Sequence, residues 1–82
     1  MWPKEYTHYG RMAKDIVVRF GRRVRAVREK QGLKQIEISE HTGIARTYLS
    51  KVENGRTEIC LRRLEELAIA LGMKPWELLK GV

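Results

Sequence analysis

Apolar residues recur along this chain at helical spacing. Phe20, Val24 and Val27 fall at i, i+4 and i+7, with Ile16 and Val17 one turn earlier, as on one face of a helix. Asp15 is suited to cap that helix and Gly32 to end it in the left-handed conformation. The first helix is therefore predicted over Ile16–Gln31, and a start as early as Arg11 stays open. Leu33 is an apolar hinge. A short helix over 35–41 follows, with Ile38 inward, and Gly43 marks a tight turn. The next helix spans 46–53, with Leu49 and Val52 inward and Asn54-Gly55 at its end. After a loop over Arg56–Ile59, a regular stripe of Leu61, Leu64, Leu67, Ala68 and Leu71 closes at Gly72. Pro75 fits the first position of a last helix, predicted over 75–80 and carrying Trp76, Leu78 and Leu79. No alternating run long enough for a strand is present. The expectation is an all-α fold of five helices. Residues 12–82 form the domain, and residues 1–11 an arm that is either disordered or packed on the domain, a partner subunit or DNA.

Composition narrows the function. A chain of 82 residues with 43% apolar content is one small domain with a real core. No apolar run approaches a membrane span and no signal peptide is evident. With Cys60 as the single cysteine, internal disulfides are excluded and a cytoplasmic setting is expected. The net charge is +7, which favours a polyanionic partner. Its distribution is uneven. Residues 11–30 hold eight cations against Asp15 and Glu29, whereas residues 31–56 hold four cations against three carboxylates. The only histidines are His8 and His41, without partners in acid–base or metal spacing. Neither an enzyme, a metal site, a cofactor nor a small-molecule ligand is expected.

Helices over 35–41 and 46–53, joined by a short glycine-containing turn, have helix-turn-helix geometry. Ile38, Ile44 and Leu49 can close the small core between them. Ser39 is small enough for a close crossing. Arg46, Thr47, Ser50 and Lys51 share the outer face of the second helix.

From Phe20 to Leu79 the chain resembles the lambda-repressor-like helix-turn-helix family of the Cro and xenobiotic-response-element type. The residues that carry the resemblance are Gly21, Val24, Arg28, Gly32-Leu33, Gln35, Ile38, Gly43-Ile44, Tyr48-Leu49-Ser50, Glu53-Asn54-Gly55, Leu61, Leu64, Leu67-Ala68, Leu71-Gly72, Pro75 and Leu78-Leu79. The short length and the Arg46-Thr47-Tyr48 run look most like the controller proteins of restriction–modification systems. The resemblance implies a recognition helix at 46–53, with Arg46, Thr47 and Lys51 on base edges and Ser50 and Tyr48 as secondary contacts. Tyr48 could equally pad the helix junction. It implies phosphate contacts from Gln35, Arg28, Asn54 and Arg56, and an orienting ion pair between Arg28 and Glu53. Arg22, Arg23 and Arg25 would add long-range attraction.

The sequence departs from the family at the helix starts, where Lys34, Ala45, Cys60 and Lys74 replace the usual caps. Each lost cap costs about 1 kcal/mol. Dimerisation through Trp76, Leu78, Leu79 and Val82 would offset that deficit. Cys60 reads as a small stand-in for serine more readily than as a redox thiol. The implied function is a transcriptional regulator, a repressor or an activator, that binds a palindromic double-stranded operator as a homodimer. The rivals are a protein-interaction module of the same fold and an antitoxin-type regulator.

Overall fold

The computed structural model describes residues 15–82, and the arm expected at 1–11 lies outside them. The Asp15 carboxylate accepts a hydrogen bond from the Val17 amide at 2.8 Å and so caps α1 (Ile16–Lys30). Then come α2 (Gln35–Thr42), α3 (Arg46–Glu53), α4 (Leu61–Ala70) and α5 (Pro75–Leu78). Among the described residues the architecture is all-α, with five helices and no strand. The last helix is shorter than its sequence suggests, because the chain turns at Gly81 (φ 78°) and Val82 donates its amide to the Leu79 carbonyl.

One core holds the helices together. Phe20, Val24 and Val27 from α1 meet Ile38, Ile44, Leu49 and Val52 from the central pair, and Leu64, Leu67, Ala68, Leu71 and Leu78 from the C-terminal half. Leu61 departs from the predicted stripe. It sits in the first position of α4 and is 81% exposed.

Three helices stop in the same way. After α1, α3 and α4 the chain reaches Gly32, Gly55 and Gly72 in the left-handed region. The two amides at and after each glycine fold back onto carbonyls of the last turn: Gly32 on Glu29 and Leu33 on Arg28, Gly55 on Val52 and Arg56 on Lys51, Gly72 on Ile69 and Met73 on Ala68. This is the Schellman arrangement. Side chains of α1 and of the segment after it satisfy further carbonyls. Arg23 donates to Glu77 and Leu78, Arg19 to Val82, and Gln31 to Leu71.

The helix starts correct the sequence reading in part. Lys34, Ala45, Cys60 and Lys74 do occupy the cap positions, and none gives a side-chain cap bond. However, Glu37 reaches back to the Lys34 amide at 2.8 Å and Glu77 to the Lys74 amide at 2.9 Å. That is half of a capping box, so the uncompensated starts are Ala45 and Cys60. Lys74 also lies over the Trp76 ring, 5.1 Å from its centre.

Two contacts fix α3 against α1. A Cβ at Gly21 would lie 2.8 Å from the Glu53 carbonyl oxygen and closer still to that of Val52, so the two backbones touch there. Seven residues further along α1 comes a buried ion pair. Arg28 Nε donates to Glu53 Oε2 at 2.7 Å and Nη2 to Oε1 at 2.9 Å, a fork-to-fork pair, while Nη1 donates to the Leu33 carbonyl at 2.8 Å. Gln35 Nε2 donates to Glu53 Oε1 at 3.1 Å. Arg28 is 8% and Glu53 5% exposed. The hydrogen bonds to Glu53 raise the Arg28 pKa above its ordinary value, against the opposing effect of burial. The guanidinium is therefore charged at every working pH.

These contacts predict two outcomes in denaturant titrations. Gly21→Ala is expected to cost about 1–3 kcal/mol through overpacking, although the same change in an unobstructed helix adds about 0.5–1 kcal/mol. A gain would mean that α1 and α3 do not meet as described. Glu53→Ala and Arg28→Ala are each expected to cost about 3–5 kcal/mol, because the remaining partner is left buried and unpaired. The apolar double substitution R28M/E53L should cost much less than the two single losses together, as coupled neighbours require.

Candidate nucleic-acid interface

The turn between α2 and α3 is stiffened by side chains. Gly43 (φ 78°) lets the chain reverse, and its amide donates to the Ser39 carbonyl. Ser39 Oγ donates to the Ile44 carbonyl at 2.6 Å. Thr42 Oγ1 donates to the Ile38 carbonyl at 2.7 Å and accepts from the Ile44 amide at 3.0 Å. Ser39 thus contributes a hydrogen bond besides its small size. Thr42, which the pattern of apolar residues does not single out, holds both sides of the turn.

With its inner face committed to Leu49, Val52 and Glu53, α3 turns Arg46, Thr47 and Lys51 to solvent, and Ser50 is half-buried beside them. Positions i, i+1, i+4 and i+5 form one outward face. Tyr48 does not join it. The ring packs against the core and its hydroxyl donates to the Glu58 carbonyl at 3.0 Å, so its place is the junction padding rather than the outer surface.

The expected phosphate ligands divide. The Arg56 side chain is exposed. Asn54 turns back on α3 as a cap, donating from Nδ2 to the Ser50 carbonyl at 2.8 Å. The amides of Asn54, Gly55 and Arg56 all donate within the helix end, which removes them as a backbone phosphate clamp. Gln35 points inward to Glu53. Arg28 is buried with three donors engaged. Arg28 belongs to the scaffold, whereas Gln35 is half-buried and commits one amide hydrogen to Glu53.

The predicted dimer residues also divide. Leu78 is 0% exposed and completes the chain's own core, so it has no surface to offer. Trp76 and Leu79 are exposed at 66% and 40%, and Val82 is partly buried against the core. Leu79 lies on the edge of an open apolar groove of about 300 Å³ that also takes in Ile16, Ile59 and Leu61. Sequence reading missed this groove because Ile16 and Leu61 fit inward-facing periodic patterns.

Other chemistry is sparse. Cys60 is exposed and His41 lies on the surface; His8 is outside the described residues. Among the described residues no His, Cys, Asp or Glu group is arranged to hold a metal, and no helix is long and apolar enough to cross a membrane.

Comparison with known proteins agrees with this architecture. The helix-turn-helix family profile matches residues 24–79. Control protein C.MunI from Mycoplasma sp is 35% identical over 69 residues, 83% of this chain and 93% of the relative. The restriction–modification controller protein C.AhdI from Aeromonas hydrophila superposes with a TM-score of 0.73 at 37% identity, covering 76% of this chain and 94% of that one. The controller C.Esp1396I, solved as a tetramer on its natural 35-base-pair operator, shares the fold with a TM-score of 0.75 at 16% identity, over 83% of this chain and 90% of its own. The chain belongs to the helix-turn-helix family, alongside the control proteins of restriction–modification systems.

Proposed function

We propose that this protein is a transcriptional regulator of the controller type that binds a palindromic double-stranded operator as a homodimer, in the cytoplasm where that DNA lies. The observation that carries the reading is the outer face of α3. Exposed Arg46, Thr47 and Lys51 stand on a helix whose other side is locked to α1 and α2. A rigid helix of this kind fits the major groove. Arg46 can give guanine O6 and N7 two hydrogen bonds, and Thr47 can meet a thymine methyl. Lys51 and Ser50 continue the same surface. Arg56, on the exposed turn after α3, suits a phosphate. The relatives are regulators rather than enzymes, and the same role suits this chain.

One helix reads only a few base pairs. Two-fold pairing of the domain doubles the site and sets half-sites about 34 Å apart. Trp76, Leu79 and Val82 are the proposed contacts from the C-terminal end, extended by the exposed Ile16 and Leu61 beside Leu79.

Selection of bound duplexes from a random pool is expected to enrich a two-fold symmetric motif. Arg46→Ala should weaken binding to that motif by about 1–3 kcal/mol and relax the preference at one position of each half-site. Enrichment of no motif, with only salt-sensitive attraction, would favour the protein-interaction module of the same fold. In light scattering, the chain is expected to run as a dimer at micromolar concentration, and Leu79→Asp as a monomer. Unchanged mass for Leu79→Asp would place the interface elsewhere.

A further inference from the structure

Arg46, Ser50 and Asn54 follow one another along α3 at one-turn spacing, on the edge of its outer face. Asn54 spends its donors on this stripe. Its backbone amide and its Nδ2 both donate to the Ser50 carbonyl, at 3.0 and 2.8 Å. Nδ2 carries a second hydrogen, which goes to Ser50 Oγ at 3.4 Å. The shorter bond fixes which way the side-chain amide points. Turned over, its oxygen would face the Ser50 carbonyl oxygen, acceptor against acceptor. Asn54 therefore keeps no N–H for a phosphate.

A serine hydroxyl has one proton and two lone pairs, and can meet either a donor or an acceptor on a base. Inside a helix it often gives that proton to the carbonyl one turn back. Ser50 does not: among the described residues no acceptor takes its proton, while Asn54 approaches a lone pair. An O–H group that accepts one hydrogen bond becomes a stronger donor in the next. The Ser50 side chain is half-buried beside exposed Thr47 and Lys51, and its proton is left for whatever meets the outer face.

We propose that Asn54 is a positioning residue for Ser50. It holds the hydroxyl in the donor sense, so that Ser50 selects a base edge presenting an acceptor, guanine or thymine, over the amino group of cytosine. The proposal rests on the operator reading above. It gives Asn54 a part in base choice in place of the phosphate contact expected of it, exerted through Ser50 and without a contact of its own to the DNA.

The test starts from the motif that the unmodified chain enriches from random duplexes. Fluorescence anisotropy of the full chain then compares four duplexes that differ only at the position whose preference S50A relaxes. The unmodified chain is expected to favour guanine or thymine there over cytosine by about two- to tenfold, the worth of one hydrogen bond. N54A is expected to lose that preference. N54D, whose carboxylate takes the Ser50 proton, is expected to shift it toward cytosine. In the S50A background, N54D should change nothing at this position. Loss of the helix cap alone would weaken all four duplexes equally, and thermal melting reports it separately. Either Asn54 variant decides the question if the other does not fold. S50A that relaxes no position, or an Asn54 variant that keeps the unmodified preference, would overturn the inference and leave the operator reading standing. Enrichment of no motif by the unmodified chain would overturn both.

Discussion

Glu53 accepts three hydrogen bonds on two oxygens, at a site that water barely reaches. Two come from Arg28 on α1 and one from Gln35 at the start of α2. A carboxylate taken out of water needs this degree of compensation, because an unpaired buried charge would destabilise a domain of this size severely. The arrangement that supplies it also fixes geometry. Three helices must meet at one point, and the planar guanidinium accepts only a narrow range of approach to the carboxylate. Gly21 sets the distance of the same crossing, since nothing larger fits between the α1 backbone and the carbonyls of Val52 and Glu53. Distance and angle of α3 are thus set separately, one by a missing side chain and the other by a charge pair. The outer face of α3 inherits both.

The basic character of α1 takes on a different meaning in the structure. Arg19, Arg23 and Arg28 donate to carbonyls or to Glu53 and hold the C-terminal turns and α3 in place. Arg22, Arg25 and Lys30 remain in solvent. A field that depends only on summed charge is indifferent to this division, but contacts are not. Cations tied to the protein's own carbonyls still attract a polyanion from a distance. They cannot readily leave their partners to meet a phosphate at close range.

Much of the fold was legible because helical periodicity and glycine stops are local signals. The α1, α2 and α3 boundaries follow from them to within a residue. Leu61 shows the limit: it fits the stripe of α4, yet the first turn of a helix overhangs the core it leads into, and the periodicity does not show where the core ends. Glu37 and Glu77 stood three residues after each lysine cap, the spacing of a capping box, but a lysine at the cap masks the pattern. The bonds of Arg19, Arg23 and Gln31 to distant carbonyls had no local signature. Nor did the inward turn of Gln35, which depends on how near α2 passes to Glu53. The outward face of α3 was legible since it is the complement of Leu49 and Val52.

A buried ion pair rarely adds stability over a well-packed apolar pair of the same volume, so stability alone does not explain why α1 and α3 meet through Arg28 and Glu53. Specificity of geometry does. Apolar side chains at that crossing could repack with small shifts and rotations at little cost, and each would move Arg46 and Thr47 relative to the base edges they are proposed to read, which hydrogen-bond only in a narrow range. The fork-to-fork pair penalises such shifts steeply. The Leu33 carbonyl on Nη1 extends the restraint to the hinge that leads into α2. The polar turn of Ser39 and Thr42 does the same at the far end of α2. The proposed recognition helix, α3, is therefore bounded by directional bonds at both ends, while the apolar core beneath it supplies cohesion without direction.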